Sequence, residues 1–136
     1  MNAGSLTARH VLVVDDQPTN VELARALLEL EGLEVDVAID ARQADAAVRR
    51  RPPALVLLDI QMPGEDGLAL LARWRASPTT AGLCVVAFTA FAMAGDRDRC
   101  LAAGCDGYIS KPIDVASFGH TIRAFLDRPP IAASTD

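Results

Sequence analysis

The chain has no uninterrupted apolar segment of the 18 or so residues that a membrane span requires. Its first nine residues, Met1 to Arg9, hold no apolar core of the kind a secretory signal needs. Both absences point away from the membrane and from export, and toward the cytoplasm. There is no excess of basic residues either: the formal net charge is −5 and the pI is near 4.9. A nucleic-acid surface of its own is therefore not expected. Cysteine is sparse and odd in number (Cys84, Cys100 and Cys105), without a CxxC pair or a Cys/His cluster, so free thiols are expected rather than a metal or redox centre. His10 and His120 have no partner at ligand spacing and read as structural or surface residues.

What is present is a sequence of 136 residues, 51% of them apolar, enough for one globular domain with a real core. A domain over residues 9–127 is expected, with flexible termini at 1–8 and 128–136. Val11-Leu12-Val13-Val14 runs apolar into Asp15-Asp16, and Ala54-Leu55-Val56-Leu57-Leu58 runs apolar into Asp59. Leu83-Cys84-Val85-Val86-Ala87-Phe88 does the same into Thr89, and a shorter Tyr108-Ile109 reaches Ser110-Lys111-Pro112. Short continuous runs of this kind read as strands buried on both faces, as in parallel sheets. Leu33, Val35 and Val37 alternate with Glu34 and Asp36, the pattern of a strand at a sheet edge.

Between the strands lie helical stripes. Val21, Ala24, Leu27 and Leu28 follow Pro18 and stop at Gly32, and Ala41, Ala44 and Val48 close at Arg49-Arg50-Arg51. That basic run reads as a solvated helix end complementing the helix dipole. Leu68, Leu71 and Ala72 follow the turn Pro63-Gly64-Glu65-Asp66-Gly67. A small-residue helix spans roughly Ala92 to Ala103, and Val115, Phe118, Ile122 and Phe125 trace the last one. Five strands alternating with five helices predict an α/β fold, (βα)5 and doubly wound, with a five-stranded parallel sheet in the flavodoxin-like order 2-1-3-4-5. In that order Asp15, Asp16, Asp59, Thr89 and Lys111 all reach one rim, the carboxyl ends of the strands, where such sheets carry their sites.

Carboxylates crowded on one rim repel each other and call for compensation. A hard divalent cation such as Mg²⁺ (or Mn²⁺) takes oxygen ligands and combines one or two carboxylates with phosphate oxygens. A remaining carboxylate can attack phosphorus to form an aspartyl phosphate. Charge then spreads over the phosphoryl oxygens, so positioned donors matter most; the Lys111 ammonium, the Thr89 hydroxyl and backbone N–H groups after Asp59 could supply them.

Val13-Val14-Asp15-Asp16, Leu58-Asp59-Ile60-Gln61-Met62-Pro63 with Asp66-Gly67, Phe88-Thr89-Ala90 and Ser110-Lys111-Pro112 together resemble the response-regulator receiver domain, from about His10 to Leu126. Within that family, Thr89-Ala90-Phe91-Ala92-Met93, Gly95-Asp96, Gly104-Cys105 and Tyr108 to Ile113 look most like single-domain receivers of the DivK type; receivers of hybrid histidine kinases carry similar stretches. The resemblance implies Asp59 as phosphoacceptor. Asp16 and Asp59 would be carboxylate ligands of Mg²⁺, with the Gln61 backbone carbonyl as a third ligand and Asp15 acting largely through water. Thr89 would be the switch hydroxyl, Lys111 the conserved-motif lysine before a cis proline, and Tyr108 the rotameric aromatic. Gln61 and Phe91 would tune dephosphorylation.

The implied role is a phosphorylation-controlled switch rather than an enzyme with a separate substrate, charged by a histidine kinase or histidine phosphotransferase. It would signal to a downstream protein through about Phe91 to Phe125. Asp96-Arg97-Asp98-Arg99 on that surface read as a solvated helix face. Other readings are a receiver belonging to a hybrid kinase, a Mg²⁺-dependent aspartyl-phosphate phosphatase, a flavodoxin and a degenerate scaffold. The phosphatase would need an Asp where Gln61 stands. A flavodoxin would need a phosphate-cradling loop where Asp15-Asp16 stand, and a degenerate receiver would have lost one of the five rim groups.

Overall fold

The computed structural model describes residues 9–127 apart from 63, 65 and 91–93, and not the side chains of Ala94 and Asp96. The expected flexible termini, Phe91 and the first residues of the predicted fourth helix lie outside the described residues. Five strands, β1 (His10–Val14), β2 (Glu34–Ala38), β3 (Leu55–Asp59), β4 (Val85–Thr89) and β5 (Gly107–Ser110), alternate with five helices. These are α1 (Pro18–Leu30), α2 (Ala41–Arg50), α3 (Gly67–Ala76), α4 (Ala94–Ala102) and α5 (Phe118–Asp127). All strand pairings are parallel and the order is β2-β1-β3-β4-β5. The expected (βα)5 fold and its strand order are both present.

Successive strand side chains point to opposite faces, so each apolar run feeds two cores. Val11, Val13, Leu55, Leu57, Val86 and Phe88 pack with α1 and α5. Leu12, Val14, Val56, Leu58, Val85 and Ala87 pack with α2, α3 and α4. The strands β1, β3 and β4 are buried along their whole length, whereas edge strand β2 is buried only at Val35 and Ala38. Fully burying such a side chain contributes roughly 1.5–3 kcal/mol, which is why the unbroken runs commit to the interior.

Local chemistry sets the helix ends. Asp40 caps α2 by accepting the Gln43 N–H at 2.8 Å, and Asp66 caps α3 by accepting the Leu68 N–H at 2.9 Å. Arg49, Arg50 and Arg51 are exposed at the end of α2, as expected, and Arg51 pairs with Glu34. α1 and α4 both stop at a left-handed glycine, Gly32 and Gly104. The next residue's N–H returns to the last turn, from Leu33 to the Leu28 carbonyl and from Cys105 to the Cys100 carbonyl, each at 3.1 Å.

Two stripes differ from the sequence expectation. α3 buries Gly67, Leu70, Leu71 and Trp74, and Ala72 faces solvent, because Trp74 both fills the core and donates its indole N–H to Asp45 at 2.8 Å. Val115 does not begin the last helical stripe. It lies in the turn before α5, 58% exposed, and the buried face starts at Phe118.

At the end of the sheet away from the carboxyl termini of the strands, one side chain joins three segments. The Arg75 guanidinium donates to the carbonyls of Ala81, Leu83 and Gly104 and to Asp106, at 2.7–3.1 Å. Asp106 in turn accepts the Val85 N–H at 2.8 Å. His10 is buried beside Asp36, Nε2 to Oδ2 2.6 Å, a structural pairing; His120 is exposed.

Candidate functional site

Parallel register brings the acids together. Val14 pairs with Leu58 across β1 and β3, so Asp15 and Asp59 follow at adjacent strand ends, about 4.8 Å apart by strand spacing. Each is then fixed by its own loop. Asp15 Oδ1 accepts the Gln17 N–H and Asp59 Oδ1 accepts the Gln61 N–H, both at 2.9 Å. The Asp15 N–H continues the ladder to the Ala38 carbonyl at 3.0 Å. Asp16 is half-buried beside them, and the carboxylate oxygens of Asp15, Asp16 and Asp59 lie within 4.8 Å of one another.

The lysine arrives from the far side of β4. Its backbone N–H donates to the Thr89 carbonyl at 2.7 Å, extending the β4–β5 ladder past Ser110. From there its long side chain reaches back across the sheet. Nζ stands 3.0 Å from Asp15 Oδ2 and 3.3 Å from Asp59 Oδ2. It also lies 4.9 Å from the centroid of the Phe88 ring. The Lys111-Pro112 bond is cis, as the resemblance implied. Among the described residues the buried polar side chains are His10, Asp15, Asp59 and Thr89, and three of those four belong to this rim.

The electrostatics are unbalanced. Among the described residues three carboxylates face one ammonium, and burial holds the Asp59 pKa above the ordinary carboxylate value, with the charge of Asp15 adding to the rise. The Gln61 N–H and Lys111 oppose it. Asp15 Oδ2 is buried with no hydrogen bond of its own, held by the Lys111 ion pair alone. Hard oxygen donors, excess negative charge and an under-satisfied buried carboxylate oxygen fit a divalent cation held by Asp15, Asp16 and Asp59.

The other sequence-selected residues fall as follows. Thr89 is fully buried at the end of β4, one position beyond Phe88, the ladder partner of Asp59. Gln61 turns its side chain to solvent while its N–H holds Asp59. Tyr108 is half-buried, and strand alternation puts it against the α2–α4 core. It lines a groove of about 610 Å³ together with Arg97, Leu101, Ser110 and Phe125 of α5. Phe88 was read only as core; its contact with Lys111 depends on which sheet face each side chain takes, which apolar runs do not reveal. A cation-bearing residue one strand away from an aromatic was the one available signal.

The geometry agrees with comparisons to known proteins. The family model described as "Response regulator receiver domain" matches residues 11–123. The chain is 37% identical over 118 residues to the polar-differentiation response regulator DivK of Brucella anthropi, covering 87% of this chain and 96% of that one. DivK of Brucella ovis matches to the same extent. Among solved structures, a CheY-like response regulator receiver domain protein of Methanospirillum hungatei superposes with a TM-score of 0.79 at 29% identity, over 89% of this chain and 95% of that one. The receiver domain of a sensor histidine kinase from Pseudomonas aeruginosa, with a magnesium ion coordinated in its active-site cleft, gives 0.80 at 29%, over 90% and 100%. With Asp59 flanked by Asp15 and Lys111 at the end of the central strand, and with residues 11–123 matched, the chain belongs to the response regulator receiver domain family.

Proposed function

We propose that this protein is a DivK-like single-domain response regulator of the cytoplasm, which takes a phosphoryl group on Asp59 from a histidine kinase or histidine phosphotransferase. The observation that carries the reading is the Lys111 ammonium set between Asp15 and Asp59 at the end of β3. The 37% identity to the DivK relatives supports the DivK-like assignment.

Asp59 attacks phosphorus through a carboxylate oxygen. The bond from phosphorus to the donor imidazole nitrogen breaks, and that nitrogen keeps the electron pair. The Gln61 N–H and Lys111 hold Asp59 in its ionised form against burial, and so keep it nucleophilic. Asp15, Asp16 and Asp59, with the Gln61 carbonyl, would hold Mg²⁺ or Mn²⁺. When bound, the ion neutralises charge on the transferring phosphoryl oxygens. Lys111 then pairs with a phosphoryl oxygen, and the Thr89 hydroxyl turns toward the same group. The protein is thus a self-phosphorylating switch, not an enzyme with a separate substrate.

Output runs to a protein partner through α4, β5 and α5, within about residues 91–125, where Tyr108 and Phe125 line the groove described above. Neither a nucleic acid nor a membrane is proposed as partner; among the described residues no helix is long and apolar enough to cross a membrane.

The test is intact-mass measurement after exposure to acetyl phosphate and Mg²⁺. Wild type should gain one phosphoryl group and Asp59→Asn none. Equal labelling of both would move the acceptor elsewhere.

A further inference from the structure

We propose that Phe88 is a positioning residue for the Lys111 ammonium, holding it by the face of its ring at the point where a phosphoryl oxygen must be met. The inference rests on the phosphoacceptor reading of Asp59 given above. Phe88 is fully buried and is the ladder partner of Asp59, so its backbone is locked to the acceptor strand. Its ring enters the α1–α5 core and is steadied by Phe118, 6.4 Å between centroids with the planes tilted by 46°. The Lys111 ammonium lies 4.9 Å from the Phe88 centroid, and the lysine side chain is only 13% exposed. Within about 6 Å an aromatic face attracts a cation, and the attraction grows as water is removed.

The contact answers a specific difficulty. Lysine has a flexible four-carbon stem, and its head is a compact charge that follows its counter-ions. Here the counter-ions change during the reaction, because Asp59 passes from carboxylate to acyl phosphate. Asp15 alone would then draw the ammonium toward β1, away from the acceptor. The Phe88 ring has a potential that does not depend on the charge of either carboxylate. It keeps Nζ against the ring and within reach of both acids, before and after transfer. An aliphatic residue at 88 would fill the same core without this attraction.

A graded series separates electrostatics from packing. Phenylalanine with zero, one, two or three ring fluorines is placed at position 88 of the full chain by nonsense suppression. Labelling of Asp59 by acetyl phosphate at fixed Mg²⁺ is followed by intact mass; a carboxylate oxygen bonds to phosphorus as acetate leaves with the electron pair. The rate should fall stepwise with each fluorine, by about three- to tenfold across the series. The same series in a Lys111→Met background should be flat. A flat series in the wild-type background, or a slope that survives Lys111→Met, overturns the proposal.

A second measurement needs no phosphorylation. In metal-free protein the Lys111 ε-methylene protons should show an upfield ring-current shift that Phe88→Leu removes while the rest of the spectrum stays dispersed. A wild-type shift at the ordinary lysine position overturns the proposal. If wild type is never labelled on Asp59, the acceptor reading fails, and the ring-current shift still decides whether Phe88 holds the ammonium.

Discussion

Asp15 and Asp59 end neighbouring strands in the same pose, each Oδ1 accepting at 2.9 Å the backbone N–H two residues ahead. Their carboxylates are thus aimed by backbone, and neither can turn away to relieve the repulsion between them. The crowded charge should therefore cost stability.

In the absence of metal, Asp59→Asn should raise Tm. The amide oxygen can still accept the Gln61 N–H, and the charge facing Asp15 is gone. The sign follows from the raised Asp59 pKa: the folded state binds that proton more tightly than the unfolded chain does. The group's favourable contribution is full below the unfolded carboxylate value of about 4 and is lost as pH rises through the folded value. At neutral pH the ionised Asp59 is therefore a burden. A gain of about 1 kcal/mol corresponds to a Tm rise of about 4 °C in a domain of this size, and the gap to wild type should close below about pH 4. A variant that melts below wild type at pH 7 would contradict this.

Mg²⁺ should raise the Tm of wild type, because a ligand that binds only the folded state stabilises it by about 1.4 kcal/mol at ten times its Kd. Asp16→Ala should lose the rise, since one of the three clustered carboxylates is gone. Chelation should restore the metal-free Tm. Indifference of wild type to millimolar Mg²⁺ in a thermal scan would count against the metal site.

Thr89→Ala should still accept a phosphoryl group on Asp59 yet gain little affinity for its partner on phosphorylation. Shifting a two-state equilibrium from 1:99 to 99:1 takes about 5.5 kcal/mol, and a hydrogen bond to a charged group supplies about 1.5–3. Thr89 cannot complete the change alone, and Lys111 must contribute much of the remainder. Lys111→Ala should therefore uncouple as well, with a longer-lived phosphoryl group. Titration of the partner with each phosphorylated variant decides it: binding as tight as phosphorylated wild type removes the coupling scheme.

The thiols should react in two classes. Burial, with the neighbouring Cys100 adding to it, pushes the Cys105 thiol up from 9.0 to about 12, and Cys100 is itself fully buried. Cys84 is half-buried. Iodoacetamide at pH 8 should modify Cys84 in the native protein and all three only after unfolding, as counted by mass. The raised value also sets a direction with pH: the thiol's stabilising proton is retained in the fold but lost from the unfolded chain above about 9, so stability should fall between about pH 9 and 12. Rapid native alkylation of Cys105 would refute the burial argument.

The sheet could be read from the chain because β1, β3 and β4 are unbroken apolar runs, each stopping at a polar rim residue, and β2 alternates as an edge strand must. Periodicity gave poorer guidance where a large residue sits off the simplest stripe. In α3 the buried set runs from Gly67 to Trp74, so the small Ala72 was misplaced to the interior. Val115 is apolar but precedes the helix, and apolar character alone does not distinguish an exposed turn from a buried face. At the site, the residue types and their strand-end places were legible. The sharing of Lys111 between Asp15 and Asp59, and the Phe88 ring beside it, were not, because they depend on register and on which face each side chain takes.

Arg75 has five N–H donors, and its five contacts, to Ala81, Leu83, Gly104 twice and Asp106, match that number. A fully engaged guanidinium fastens the base of the sheet from below, far from the loops that carry Asp59 and Thr89. A substitution in those loops therefore leaves all five of these bonds in place. Damage at one pole is thus insulated from the anchoring at the other.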